Sequence, residues 1–219
     1  MTNRSDISSV GGGSFLAGIQ DYFDLAGSRS PSIFDIRHRF SLAMIYNVPL
    51  FQKSSNKALR SLLGGWQLGA IITEQTGFAS ALSGYVDTTG TGVVSRLDAV
   101  QGQQSALSRG QRSASRWFNT AAFVAPQPGR FGTAARLPIY LPGLNQVDAS
   151  ANKNFRLRER HTVQFRAEFF NFFNHVNLGA PGLSLLSPNT FGVITSTTQG
   201  AAGMPGDARV VQFGLKYTF

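Results

Sequence analysis

The clearest pattern in the chain is Arg209-Val-Val-Gln-Phe-Gly-Leu-Lys-Tyr-Thr-Phe219, in which apolar and polar side chains alternate. Every second position is apolar, namely Val211, Phe213, Leu215, Tyr217 and Phe219. The positions between them are polar or small, namely Gln212, Gly214, Lys216 and Thr218. Strand spacing separates these two sets onto opposite faces, whereas helical spacing would mix them. Residues 209–219 therefore predict an amphipathic β-strand.

Four other segments repeat this alternation, at residues 39–48, 66–77, 146–157 and 161–171. Each has about the 9–11 residues that a tilted membrane strand needs. Lys153 interrupts an otherwise apolar face, so we expect it to lie near a membrane interface. The apolar faces also carry aromatic residues near their ends, as the interfacial girdles of membrane barrels do. These aromatic residues are Tyr46, Trp66, Phe169, Tyr217 and Phe219.

The composition agrees with membrane strands and excludes a membrane helix. Only 14% of the 219 residues are charged, against about 25% in soluble domains. The best apolar segment, residues 62–72, is interrupted by Gly and Gln and is shorter than the roughly 20 residues of a spanning helix. A membrane strand hides its apolar residues by alternation, so the average hydropathy of the chain stays near neutral.

The connections between the five segments differ in length. The one at 158–160 is tight and the one at 49–65 is moderate, whereas 78–145 and 172–208 are long and rich in small residues. In an up-and-down arrangement the short connections share one side of the sheet and the long ones the other. Outer-membrane barrels have short periplasmic turns and long outer loops. We expect the long segments to be the most mobile, or to carry only short irregular strands.

The predicted fold is all-β, an antiparallel meander of about five long strands that forms part of a transmembrane β-barrel with long outer loops. The residues predicted to face lipid are Phe40, Leu42, Met44, Trp66, Leu68, Val163, Phe165, Phe169 and Val211. The residues predicted to face the lumen are Gln67, Thr73, Gln164, Arg166, Glu168, Gln212 and Lys216.

No segment has the spacing of a known catalytic or metal site. The three histidines, His38, His161 and His175, lack metal-ligand spacing, and the chain contains no cysteine. Neither a GxSxG nucleophile motif nor a phosphate-binding loop is present. We therefore predict no catalytic residues, no metal ligands and no cofactor, and expect that the chain is not an enzyme.

The chain is strongly basic, with a formal net charge of +9. A nucleic-acid-binding protein would concentrate this charge in a patch or along a helix. The basic residues are instead dispersed among apolar ones, as at Arg156, Arg158 and Arg166. The pattern favours solvated or lumen-facing charge, and we predict no nucleic-acid partner.

Several segments together resemble the C-terminal barrel of TonB-dependent receptors, in particular the Oar-like group with an N-terminal carboxypeptidase-regulatory-like domain. The order and spacing of these segments along the chain carry the resemblance. The matching segments are Phe34-Asp-Ile-Arg-His-Arg-Phe40, Tyr46-Asn-Val-Pro-Leu-Phe51, Leu63-Gly-Gly-Trp-Gln-Leu68, Arg116-Trp-Phe-Asn-Thr-Ala-Ala-Phe123, Asn152-Lys-Asn-Phe-Arg-Leu157, Gln164-Phe-Arg-Ala-Glu-Phe-Phe-Asn-Phe-Phe-Asn-His175 and residues 209–219.

The resemblance implies a receptor or transporter of the cell outer membrane, with a barrel of about 22 strands closed by an N-terminal plug. Five strands cannot close such a barrel, so the chain is expected to be a C-terminal fragment. Residues 1–36 are expected to be the remnant of an outer loop, and residues 37–219 the last strands. The TonB system would then be a partner only through the missing N-terminal part, and outer-membrane lipid would surround the strands.

The last strand also resembles the signal by which the barrel assembly machinery recognises its clients. The residues expected to form this signal are Phe213, Leu215, Tyr217 and Phe219. An edge strand of this kind can pair with another strand by β-augmentation, although an ordinary closing strand would show the same alternation. Phe219 is expected at the periplasmic boundary, which places the turns at 49–65 and 158–160 in the periplasm.

Two alternatives remain open from the sequence. One is a small self-contained outer-membrane barrel, which needs at least about eight strands. The other is a soluble β-sandwich that binds carbohydrate or protein, because its strands also alternate.

Overall fold

The computed structural model describes residues 19–83, 87–158, 161–198 and 208–219. This part of the chain contains nine strands, one α-helix and two 3₁₀ turns at Arg109–Gln111 and Thr120–Ala122. None of its helices has the length and apolarity to cross a membrane. The elements in chain order are β1 (Arg39–Asn47), α1 (Lys57–Leu63), β2 (Trp66–Gln75), β3 (Ala79–Ser80), β4 (Asp98–Ala99), β5 (Phe123–Val124), β6 (Ile139–Tyr140), β7 (Leu144–Arg158), β8 (His161–Phe170) and β9 (Val210–Thr218).

The five long strands form one antiparallel sheet in the order β1-β2-β7-β8-β9. Long strands that follow one another along the chain are hydrogen-bonded to each other, so the sheet is a meander with β1 and β9 at its edges. Its strands coincide with the five predicted segments to within two residues at each end. The predicted fold class is confirmed.

The strand register sorts the side chains onto two faces. Residues paired directly across antiparallel strands point to the same side of the sheet. The apolar face consists of the even-numbered residues of β1 and β2 and the odd-numbered residues of β7, β8 and β9. The mixed face consists of all the others. One row across the apolar face is Trp66, Lys153, Phe165 and Leu215. The neighbouring row on the mixed face is Asn47, Gln67, Asn152, Arg166 and Gly214.

The connections differ between the two ends of the sheet. Residues 48–65, which contain α1, join β1 to β2 at one end. β7 and β8 are joined at the same end by residues 159 and 160, so most of the predicted turn at 158–160 lies outside the described residues. The long connections 76–143 and 171–209 leave from the opposite end, as the meander requires.

The chain divides into two compact units. The sheet unit contains the five long strands and α1, over residues 38–75, 144–177 and 198–219. The loop unit contains residues up to 37 together with 76–143 and 178–197. It carries the expected short strands, because β3 pairs with β6 and β4 with β5 over two residues each.

The loop unit also has a hydrophobic core, which the sequence did not predict. Phe118 is buried in this core and makes edge-to-face contacts with Phe123 and Phe191 at ring-centroid distances of 6.1 and 5.2 Å. Segments that are far apart in sequence therefore pack together in a way that is typical of water-soluble domains. The buried core residues are Leu82, Leu97, Phe118, Ala122, Phe123, Ala134, Ile139 and Phe191.

Asp98, a buried carboxylate of the loop unit, is paired with groups from distant segments. The carboxylate of Asp98 accepts hydrogen bonds from Arg130 at 2.9 and 2.6 Å and from the backbone N–H of Thr133 at 3.0 Å. Burial acts to raise the pKa of Asp98, but the bonds from Arg130 and Thr133 hold it below its ordinary value. Asp98 therefore stays ionised and ties two distant segments of the unit together.

An exposed carboxylate of the same unit organises a Gly-rich turn. Asp87 accepts hydrogen bonds from the backbone N–H groups of Gly92, Thr89 and Gly90 at 2.6, 2.8 and 2.9 Å. These bonds, with the one from Gly92 the strongest, lower the pKa of Asp87 to about 2. The carboxylate is occupied by the turn itself, so it is a structural group.

Candidate functional site

The mixed face carries a continuous row of polar side chains across four of the five long strands, from β1 to β8. Gln67 Nε2 donates to Asn47 Oδ1 at 3.0 Å, and Arg166 Nε donates to Asn152 Oδ1 at 3.2 Å. Arg166 also lies 3.5 Å from a carboxylate oxygen of Glu168 in an exposed ion pair. These side chains present amide, guanidinium and carboxylate groups on one surface, and such groups can hydrogen-bond to a polar solute or to a polar protein segment.

The next two rows of the mixed face form a depression of about 380 Å³. Gly69 lies in its floor, where a Cβ would stand 2.6 Å from Ser150 Oγ. Ile45 and Ile71 line it as well, so the mixed face is less polar than the alternation indicated. Sequence reasoning missed these two residues because each interrupts an otherwise polar set.

Asparagines close the end of β8 that leads into the long connection 171–209. Asn171 adopts a positive φ of 50°, and its Oδ1 accepts from the N–H of His175 at 2.9 Å. Asn177 Oδ1 accepts from the N–H of Asn145 at 2.9 Å, and Asn174 Oδ1 accepts from the N–H of Arg209 at 3.0 Å. The three asparagines thus fix the starts of β7 and β9 against the end of β8. The three asparagines are spaced three residues apart in the sequence, but this spacing alone does not indicate what they bind.

All nine residues predicted to face lipid lie on the apolar face, and all seven predicted to face the lumen lie on the mixed face. The register therefore separates the two sets, while the lipid and lumen environments themselves remain predictions. Edge-to-face contact of Trp66 with Phe165 and stacking of Phe165 on Phe213, both at 6.1 Å between ring centroids, join three strands on the apolar face. The residues of the predicted assembly signal are exposed, Phe213 by 68%, Leu215 by 75%, Tyr217 by 53% and Phe219 by 86%.

Lys153 is buried on the apolar face, although it is charged. Its ammonium donates to the carbonyl oxygen of Gly64, and it lies 5.7 and 5.1 Å from the ring centroids of Trp66 and Phe155. The charge is thus paired with a carbonyl dipole and two aromatic faces. It lies opposite Trp66, the first residue of β2, and beside the connection 48–65, while its position at a membrane interface stays a prediction.

The histidines lie apart from one another in sequence and carry structural contacts. His161 stacks on Tyr217, with Nδ1 at 2.6 Å from the phenolic oxygen, and His175 is part of the asparagine turn. Across the described ranges, no three His, Asp or Glu side chains group as a metal site would require.

Comparison with known proteins identifies the family of the chain. The family model of the outer membrane beta barrel domain matches residues 1–212. Neither the curated proteins nor the solved structures include a significant match to this chain. The protein is therefore located in the outer membrane, and its antiparallel meander agrees with the fold of an outer-membrane barrel domain. Because the match covers nearly its whole length, the chain belongs to the outer membrane beta barrel domain family.

Proposed function

We propose that this chain is the C-terminal part of a TonB-dependent outer-membrane receptor or transporter, in which it supplies barrel wall, outer loops and the strand that directs assembly. The proposal rests on the family resemblance of the motifs together with one structural observation, the odd number of strands that the described residues contribute to the sheet. In this role the chain catalyses no reaction and binds no nucleic acid.

The strand count determines how the sheet can close. In a meander of five strands, β1 and β9 run in the same direction. Bacterial outer-membrane barrels are antiparallel with an even number of strands. β9 therefore cannot pair with β1 of the same chain without breaking this rule, and an odd number of further strands must lie between them.

Identical copies of the sheet do not solve this problem. Copies related by rotation about the membrane normal keep the same strand direction, so β9 of one copy would meet β1 of the next in parallel. An unpaired edge in lipid would leave backbone groups unsatisfied at a cost of several kcal/mol each. A large single-chain barrel supplies the missing antiparallel strands. The direction of β1 and β9 therefore favours a receptor over a small self-contained barrel made of these strands alone.

The mixed face would line the interior of that barrel. Arg166, Glu168 and Gln67 lie on it, in or next to the depression, and their polar groups can hydrogen-bond to a plug or a passing solute. The apolar face would contact lipid, because lipid-facing residues form an apolar band. In this proposal the apolar face contacts the membrane and the mixed face lines the transport path.

The proposed coupling to TonB can be tested in cells that make the whole protein. We expect its N-terminal part to cross-link to TonB through cysteines introduced in the periplasmic segment, and this chain expressed alone to give no TonB cross-link. Absence of a cross-link in the whole protein would rule out TonB coupling. A heat-modifiable compact band from this chain alone would show a self-contained barrel instead.

The assembly role is tested separately at the last strand. Deleting Phe219 from the whole protein should lower its outer-membrane level severalfold, because an aromatic residue of the assembly strand is lost. Deleting Phe213 to Phe219 should abolish it. The matched control, Thr218→Ala, leaves the aromatic set intact and should assemble normally. Normal levels of the longer deletion would refute the role.

A further inference from the structure

The connection between β1 and β2 contains a short amphipathic helix whose apolar side is uncovered. Leu59, Leu62 and Leu63 of α1 recur at the spacing of one helix face. They are exposed by 40, 62 and 46%, and α1 buries no residue. The helix is well formed despite this, because Asn56 Oδ1 caps it by accepting from the N–H groups of Ala58 and Leu59 at 3.0 and 3.3 Å.

Two residues of the apolar face hold the C-terminal end of α1. Trp66 Nε1 donates to the carbonyl oxygen of Leu62 at 3.1 Å, and Lys153 Nζ donates to that of Gly64. These carbonyls are among those a helix end leaves without an intrahelical partner. Because Trp66 and Lys153 lie on the apolar face, α1 is attached to the face whose side chains would contact lipid.

The other side of α1 is basic. Lys57, Arg60 and Ser61 lie opposite the leucines on the helix, and Lys53 precedes it in the same connection. Residues 48–66 contain no Asp or Glu, so the connection carries three positive charges without an acidic neighbour in sequence. All three basic side chains are exposed.

We propose that α1 is an interfacial anchor, with its leucines in the periplasmic leaflet of the outer membrane and Lys53, Lys57 and Arg60 bound to anionic phospholipid headgroups. A helix with one leucine side and one basic side suits the plane between acyl chains and phosphates. The anchor is continuous with the apolar face through Trp66 and Lys153. It rests on the proposed function, which makes the apolar face lipid-facing and the 48–65 connection periplasmic.

A water-exposed turn would not need this arrangement. Three exposed leucines on a capped helix form an unpartnered apolar patch, and the adjacent lipid is the nearest apolar phase for a helix fixed to the apolar face. The unbalanced positive charge favours phosphatidylglycerol or cardiolipin over zwitterionic lipid. The apolar patch and the positive charge can therefore both be satisfied by one partner, an anionic lipid leaflet.

Depth measurements on the whole protein in lipid bilayers test the placement. Leu62→Cys and Ser61→Cys each receive a nitroxide label, in a protein with any other cysteines replaced; this chain has none. We expect the label at 62 to be reached by oxygen and shielded from a polar nickel chelate, with the label at 61 showing the reverse. Equal exposure of both labels to the chelate, in a protein that still folds to a heat-modifiable barrel, would overturn the anchor.

The headgroup preference has its own test. A fluorophore at position 62 is quenched with brominated phosphatidylglycerol and, separately, with brominated phosphatidylcholine. We expect stronger quenching by phosphatidylglycerol, and the double variant Lys57→Gln with Arg60→Gln should lower the preference by roughly fivefold or more. The control, Arg109→Gln with Arg116→Gln, removes two exposed charges of the loop unit and should leave the preference unchanged.

The outcomes separate this inference from the proposed function. No preference for phosphatidylglycerol in the unaltered protein would overturn the anionic headgroup assignment. Labelling of the Ser61→Cys variant in intact cells by an impermeant maleimide would overturn the periplasmic position. Either result in a protein that still cross-links to TonB defeats the anchor alone, whereas loss of the cross-link defeats the receptor proposal alone.

Discussion

The loop unit buries a core of large apolar side chains, whereas the sheet unit exposes many of its own. Phe118 in the loop unit is 2% exposed and makes two aromatic contacts, whereas Phe213 in β9 is 68% exposed. All eight residues of the buried hydrophobic core belong to the loop unit. In the sheet, large apolar residues such as Leu215 and Tyr217 lie on an open face.

We infer from this difference that the loop unit is folded for water and the apolar face of the sheet for lipid. The loop unit hides apolar surface in its own interior, as a protein in water must. The sheet leaves an apolar face to be covered by something else, and in an outer-membrane barrel that covering is lipid. We therefore expect the stability of the loop unit to depend on its packing and the stability of the sheet to depend on the membrane.

The largest expected effect is on the core of the loop unit. Phe118→Ala should destabilise that unit by about 3–5 kcal/mol, because it removes a buried ring and leaves a cavity. Hydrogen exchange should show faster exchange in β3 to β6 and no change in the five long strands. Phe23→Ala, at a fully exposed position of the same unit, is the control and should change little. An equal effect on the sheet would break the distinction between the units.

The second-largest loss of stability is expected when a charge is introduced on the apolar face. Leu215→Arg should cost about 2–4 kcal/mol of membrane folding stability if the side chain lies near the bilayer midplane. Gln212→Arg, on the mixed face of the same strand, should be mild. Denaturant titration of the whole protein folded into liposomes measures both values. Equal losses would show that the two faces of β9 meet the same environment.

A smaller effect is expected at the ion pair of the loop unit. Asp98→Asn should cost about 1–3 kcal/mol, because Arg130 and Thr133 lose a charged acceptor. The folded pKa of Asp98 is lowered, so its contribution is fully present above the unfolded value of about 3.9 and is lost as pH falls through the folded pKa. Limited proteolysis of the loop unit between pH 7 and pH 3 should show this loss in the unaltered protein. Asp98→Asn should lack it, while the exposed Asp24→Asn should retain it.

The long strands could be predicted because their information is local. Alternation in 209–219 and 161–171 separates apolar from polar residues within each segment. The register then pairs the apolar residues of one strand with those of the next. The pattern fails where an apolar residue interrupts the polar set. Ile45 and Ile71 lie on the mixed face, next to the depression, and only the pairing of β1 with β2 assigns them there.

The loop unit could not be predicted because its information is distributed. Leu82, Phe118 and Phe191 come from segments with no periodicity, and the strands between them are two residues long. The helix α1 was missed for a related reason, since seven residues in a turn are too few for a clear helical period. The alternation identifies Lys153 as a charged residue on an apolar face, but only the fold shows that its partner is the Gly64 carbonyl.

Accessibility along β9 tests most directly whether the apolar face of the sheet contacts lipid and the mixed face contacts water. Nitroxide labels placed singly at residues 211–217 of the whole protein, folded into lipid bilayers, report collision with oxygen and with a polar nickel chelate. We expect a period of two, with oxygen favoured at Val211, Phe213 and Leu215 and the chelate favoured at Gln212 and Lys216. Accessibility without this alternation, or with the chelate favoured at Phe213 and Leu215, would contradict this assignment of the two faces.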